Sequence, residues 1–124
     1  MHTPMADPFD AGLRKVLYET SEKLGFKTHR TGTMITIEGP RFSTRAESKA
    51  FRSWGADVIN MSIAPEAILA NEACIPYAAV AMATDYDAWK EDEAPVTWEE
   101  ILEVFDRNVH NVKKLLLHTI PKIN

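Results

Sequence analysis

Met34-Ile35-Thr36-Ile37-Glu38-Gly39-Pro40-Arg41-Phe42-Ser43-Thr44-Arg45-Ala46-Glu47 passes from one kind of local structure to another within a few residues. Met34 to Ile37 has the composition of a strand, and Gly39-Pro40 ends it because proline brings no amide donor to a ladder. Thr44-x-x-Glu47 then fits a capping box, opening a helix through Trp54 with Gly55 as its left-handed stop. Strand, loop and helix follow in that order.

The same alternation continues outward from this stretch. Asp57 to Met61 reads as a second short strand, and Pro65 suits a first helical position for a helix over Glu66 to Ala73. Tyr77 to Ala83 is expected to be a third strand, its near-continuous apolar run suited to burial on both faces. Upstream, Asp10 can cap a helix carrying Leu13, Val16, Leu17 and Leu24, with Gly25 placed to end it. Downstream, Thr97-x-x-Glu100 opens a long helix with Ile101, Leu102, Phe105, Val109, Val112, Leu115 and Leu116 near one face, closed by Pro121. The expected fold class is therefore α/β. Ligands in such sheets bind beyond the carboxyl ends of the strands, here Glu38 to Ser43, Asn60 to Ser62 and Thr84 to Asp87. Three strands leave exposed edges, so the chain reads as part of a larger sheet.

Composition narrows the function classes. The 124 residues, 45% of them hydrophobic, suffice for one domain or a piece of one, with no repeat or linker to mark an internal boundary. The 14 basic and 18 acidic residues are scattered, without the Lys/Arg clustering that nucleic-acid backbones require, so no nucleic-acid partner is expected. Cys74 is the single cysteine, which excludes an intrachain disulfide, and His2, His29, His110 and His118 have no metal-ligand spacing. No metal site is expected. The start has no signal-peptide layout and no apolar run could span a bilayer, so a cytoplasmic protein is expected, with the nucleus open as well.

Chemistry concentrates at the strand ends. Asp85 and Asp87 flank Tyr86, and in an extended backbone residues two apart share a face, so both carboxylates could address one ligand and one could act as a general acid. Alternatively, both order a turn. Phe42 offers a ring for a flat base and Ser43 a hydroxyl for its edge; the other reading puts Phe42 in the core and makes Ser43 a helix cap. Met61 could pack against a sugar and Ser62 bind an anion, or they could serve as ordinary core and cap.

Thr36 to Ser48 resembles the signature of the trimeric purine nucleoside phosphorylase superfamily. Trp54-Gly55-Ala56-Asp57-Val58-Ile59-Asn60-Met61 and Ala81-Met82-Ala83-Thr84-Asp85-Tyr86-Asp87 are similar to its methylthioadenosine phosphorylase branch, and the likeness covers nearly the whole chain. The resemblance implies residues 1–124 as the C-terminal part of a single three-layer α/β/α domain with a mixed central sheet. It implies phosphorolysis of methylthioadenosine to adenine and 5-methylthioribose 1-phosphate, in purine and methionine salvage, with phosphate as co-substrate and no metal or organic cofactor. By the same resemblance Asp85 is catalytic at N7 and the 6-amino group, with Asp87 assisting at the amino edge. Phe42, Ser43 and Thr84 line the base site, Met61 lies against the ribose and Ser62 helps bind phosphate. Trp98, Ile101 and Leu102 form the apolar 5′-methylthio pocket, and His2 reaches a neighbouring subunit's site in a homotrimer. The other phosphate-binding elements belong to an N-terminal half that this chain lacks. Ser62 replaces a threonine common in the family, and Trp98 a smaller apolar residue. Two rival readings are a truncated, non-catalytic nucleoside-binding or interaction protein and a receiver-like domain holding Mg²⁺ at Asp85 and Asp87; the second lacks a further acidic cluster.

Overall fold

In a computed structural model, residues 2–90 and 98–123 are described; the side chains of Trp98, Glu100 and Ile101 lie outside the described set. The elements run α1 (Ala11–Lys23), β1 (Met34–Thr36), α2 (Arg45–Ser53), β2 (Val58–Asn60), α3 (Ile63–Glu72) and α4 (Trp98–Thr119), with a 3₁₀ turn over Ile120–Lys122. β1 and β2 pair in parallel, Met34 opposite Val58 and Thr36 opposite Asn60, with α2 as the crossover between them. α3 packs beside β1, and α1 against α4.

Local signals set the helix ends. Asp10 accepts from the Leu13 amide at 2.7 Å, and Thr44 and Glu47 form the expected capping box. α1, α2 and α3 all end in the same way. The residue after each C-cap has positive φ, and the next amide reaches back to the carbonyl three positions before the cap: Phe26 to Ser21, Ala56 to Phe51 and Ile75 to Ala70. Gly25 and Gly55 take the left-handed position in the first two. In α3 it is Cys74, at φ 55°.

Two expectations need correction. α3 begins at Ile63, ahead of Pro65, because side chains from both strands cap it; Pro65 then falls in the first turn, where no intrahelical donor is needed. Residues 77–83 form no strand among the described residues. Their described bonds are isolated anchors: the Asp10 amide to the Tyr77 carbonyl at 2.7 Å, the Tyr77 hydroxyl to the Glu66 carboxylate, and the Asn108 amide group to the Ala83 carbonyl at 3.0 Å. An apolar run becomes a strand only where a neighbour supplies ladder partners. The capping box expected at Thr97 lies outside the described residues. Most large apolar side chains stay partly exposed, and among the described hydrophobic residues Ala67 and Leu115 are buried. A half-covered sheet with so little interior is what a portion of a larger α/β fold looks like.

Candidate functional site

Residues of α2, β1 and β2, the segments after both strands, and residues 80–87 with Trp89 line an open cavity of about 700 Å³. Phe42, Ser43, Met61, Ser62, Thr84, Asp85 and Asp87 all line it. Leu102 and His2 are exposed and do not line it, and the side chains of Trp98 and Ile101 lie outside the described residues.

The loop carrying Phe42 and Ser43 is tied to α2 by ionic hydrogen bonds. Arg41 donates through both terminal nitrogens to Glu47, at 2.7 and 2.6 Å, while Glu47 also accepts from the Thr44 amide at 2.8 Å. The Arg41 fork, and then the Thr44 bonds, bring the Glu47 carboxyl down to about 2. So held, Phe42 stands 79% exposed, which excludes it from the core. Ser43 is not the helix cap either, since Thr44 takes that role. The Gly39-Pro40 peptide preceding them is cis. Gly39 also lies close to Met61: a Cβ at position 39 would fall 2.9 Å from the Met61 sulfur. The two strand ends therefore meet directly.

At the end of β2, Asn60 organises the start of α3. Its Oδ1 accepts from the Thr36 hydroxyl at 3.0 Å, the Ser62 amide at 3.1 Å and the Ile63 amide at 2.9 Å, and its Nδ2 donates to the Ile35 carbonyl at 3.2 Å. Thr36 Oγ1 in turn accepts from the Ala64 amide at 3.1 Å. Since Pro65 has no amide hydrogen, the first-turn donors of α3 are engaged inside the protein. The Ser62 side chain makes no capping bond and is left to face the cavity. Thr36 and Asn60 were not singled out for this role by the sequence reading, because the bonds join residues 24 to 28 positions apart.

The two aspartates differ. Asp85 is exposed and its Oδ1 accepts from the Thr84 hydroxyl at 2.7 Å; Asp87 is half-buried, and its buried Oδ2 has no partner among the described residues. A buried carboxylate oxygen without a donor is costly unless a ligand supplies one. Ser48 was also missed as a site residue: it lies on the cavity wall with a buried hydroxyl lacking a described partner. Among the described residues no group of three or more His, Cys, Asp or Glu could hold a metal ion, and no helix is long and apolar enough to cross a membrane.

A model of the Phosphorylase superfamily matches residues 1–121. The chain belongs to this superfamily. Its relatives include the S-methyl-5′-thioadenosine phosphorylases of Xenopus tropicalis, 55% identical over 98% of this chain and 43% of that protein, and of Danio rerio, 54% identical over 98% and 44%. Among solved structures, methylthioadenosine phosphorylase from Schistosoma mansoni in complex with adenine superposes with a TM-score of 0.89 at 34% identity, over 98% of this chain and 48% of that one. The same enzyme in complex with tubercidin gives 0.88 over 98% and 47%. This phosphorylase-superfamily chain thus spans less than half the length of these relatives, and within that span its α/β fold follows theirs.

Proposed function

We propose that this chain is the purine-recognising, C-terminal portion of a methylthioadenosine phosphorylase. The observation that carries the reading is the convergence, in one cavity, of an exposed aromatic ring, two hydroxyls at strand ends and a carboxylate pair whose Asp87 Oδ2 has no described donor. A 6-aminopurine fits that set. Phe42 packs on the base, Ser43 and Thr84 bound it, and Asp87 Oδ2 accepts from the 6-amino group. Asp85 hydrogen-bonds N7 and the amino edge.

In the reaction, a phosphate oxygen attacks the anomeric carbon as the bond from that carbon to N9 breaks, giving adenine and 5-methylthioribose 1-phosphate. Negative charge grows on the departing base, and Asp85 stabilises it at N7, where a proton is taken up as the base leaves. Met61 lies along the ribose. Ser62 supplies one hydroxyl to phosphate; because Asn60 and Thr36 already hold the α3 amides, that hydroxyl is what this corner offers an anion. The remaining phosphate contacts come from the other portion of the enzyme. Trp98, Ile101 and Leu102 border the methylthio group, and His2 reaches a neighbour's site in a homotrimer. No cofactor takes part, and the enzyme works in the cytoplasm in purine and methionine salvage.

The test joins this chain with the missing portion of a full-length relative and measures adenine released from methylthioadenosine with and without phosphate. Phosphate-dependent release by the joined enzyme, with little turnover by the 124-residue chain alone, is expected. Adenine binding without turnover in the joined enzyme would instead favour a non-catalytic nucleoside-binding protein.

A further inference from the structure

The loop that carries Asp85 and Asp87 is held to α2 by an aromatic contact to which the proposed reaction assigns no role. Arg52, in the last turn of α2, places its guanidinium carbon 3.9 Å from the centroid of the Trp89 ring. That is well inside the distance at which a cation is drawn to an indole face. Trp89 meets Tyr86 edge-on, with centroids 6.0 Å apart and planes at 83°, and the Lys90 ammonium lies 3.7 Å from the Tyr86 centroid. The Lys90 amide donates to the Asp87 carbonyl at 3.2 Å, closing the turn that places Trp89 two residues after Asp87. Arg52, Tyr86 and Trp89 border the same cavity as the two acids.

Among the described residues no ladder holds this loop. On its upstream side the described tie is the Asn108 side chain on the Ala83 carbonyl. On its downstream side Arg52 on Trp89 is a described tie to another element. We infer that Arg52 and Trp89 are positioning residues: their stack fixes the 84–90 loop against α2 and so sets where the Asp85 and Asp87 carboxylates stand relative to a bound purine. The inference rests on the proposed function for its kinetic consequence, though the anchoring itself can be read without substrate. Arginine suits the task because a planar guanidinium lies flat on an indole, whereas lysine offers only a point charge.

The test compares wild type, Arg52→Ala, Arg52→Lys, Trp89→Leu and the double Arg52→Ala/Trp89→Leu. Amide hydrogen exchange of the peptide covering residues 84–90 in the 124-residue chain is expected to quicken about fivefold to tenfold in Arg52→Ala, with α1 peptides unchanged. Arg52→Lys should recover part of the protection. In the joined enzyme, kcat/KM for methylthioadenosine should fall about tenfold in Arg52→Ala with an unchanged Tm, and the double variant should be no worse than Trp89→Leu. Unchanged loop exchange in Arg52→Ala, or losses that multiply in the double variant, would overturn the inference. Loop protection that depends on Arg52 in a joined enzyme without phosphorolysis would count against the function alone.

Discussion

Replacing Asn60 by alanine should cost far more stability than the loss of an ordinary helix cap. Four hydrogen bonds converge on this side chain: Oδ1 accepts from Thr36, Ser62 and Ile63, and Nδ2 donates to Ile35. The bonds to Thr36, Ile63 and Ile35 are part-buried, so each is worth about 1 kcal/mol net. The exposed Ser62 amide regains water and adds little. The sum is about 3 kcal/mol, against about 1 kcal/mol for a typical cap. Asn60→Asp keeps an oxygen for both helix amides and adds charge where the α3 dipole favours it, losing chiefly the donor to Ile35. It should cost about 1 kcal/mol. Urea unfolding, with the slope m compared across variants, measures both changes. Thr36→Val completes a double-mutant cycle, in which a coupling of about 1 kcal/mol with Asn60 is expected. A loss below about 1 kcal/mol in Asn60→Ala would show that the side chain is only a cap, and an equal loss in Asn60→Asp would show that the helix amides contribute little beside the donor to Ile35.

Cys74→Gly should stabilise the chain by about 1 kcal/mol, read as a higher urea midpoint, because Cys74 holds the positive-φ position that glycine holds after α1 and α2. A lower midpoint would mean that the thiol makes compensating contacts. Glu47 has its carboxyl lowered to about 2, so its stabilisation of the Phe42 loop is complete above the ordinary value of about 4.5 and is lost as pH falls from there to about 2. An NMR titration of the Thr44 amide should show that low midpoint in wild type and a higher one, still below the ordinary carboxylate value, in Arg41→Ala, where the Thr44 bonds remain. Asp85→Asn in the joined enzyme should cut kcat/KM on methylthioadenosine by about 10² to 10⁴ and shift preference toward the 6-oxo analogue, since an amide can donate to a carbonyl that a carboxylate repels. An unchanged ratio of methylthioadenosine to methylthioinosine would remove Asp85 as the residue that reads the base. Asp87→Asn should have the smaller effect.

What was legible in the sequence is what short-range chemistry determines. Asp10, Thr44, Gly25 and Gly55 act within a few residues of themselves, and all four do what their types suggest. The βαβ unit followed from them. Residues 77–83 were misread because an apolar run carries no information about whether a ladder partner stands beside it. The Thr36–Asn60 bond and Arg52 went unnoticed as anchors for a related reason: these contacts join residues far apart in sequence, and one threonine or arginine looks like any other until the fold closes. Of the ten candidate site residues assigned besides Asp85, six line the cavity with it, and these sit at strand ends or on the loop after residue 83, where an α/β pattern sends ligands. The methylthio pocket and the subunit contact at His2 came from resemblance alone, and the described cavity does not reach Leu102 or His2.

The contact between Gly39 and Met61 sets a rule for how this family can drift. A methyl group at position 39 would lie 2.9 Å from the sulfur at 61, so the two positions share one volume. A larger residue at one is tolerable only beside a smaller or re-angled one at the other. The flexible Met61 thioether can swing aside for a methyl group at 39, but that movement displaces the side chain assigned to the ribose, so a change at 39 is felt at 61 before it is felt in the fold.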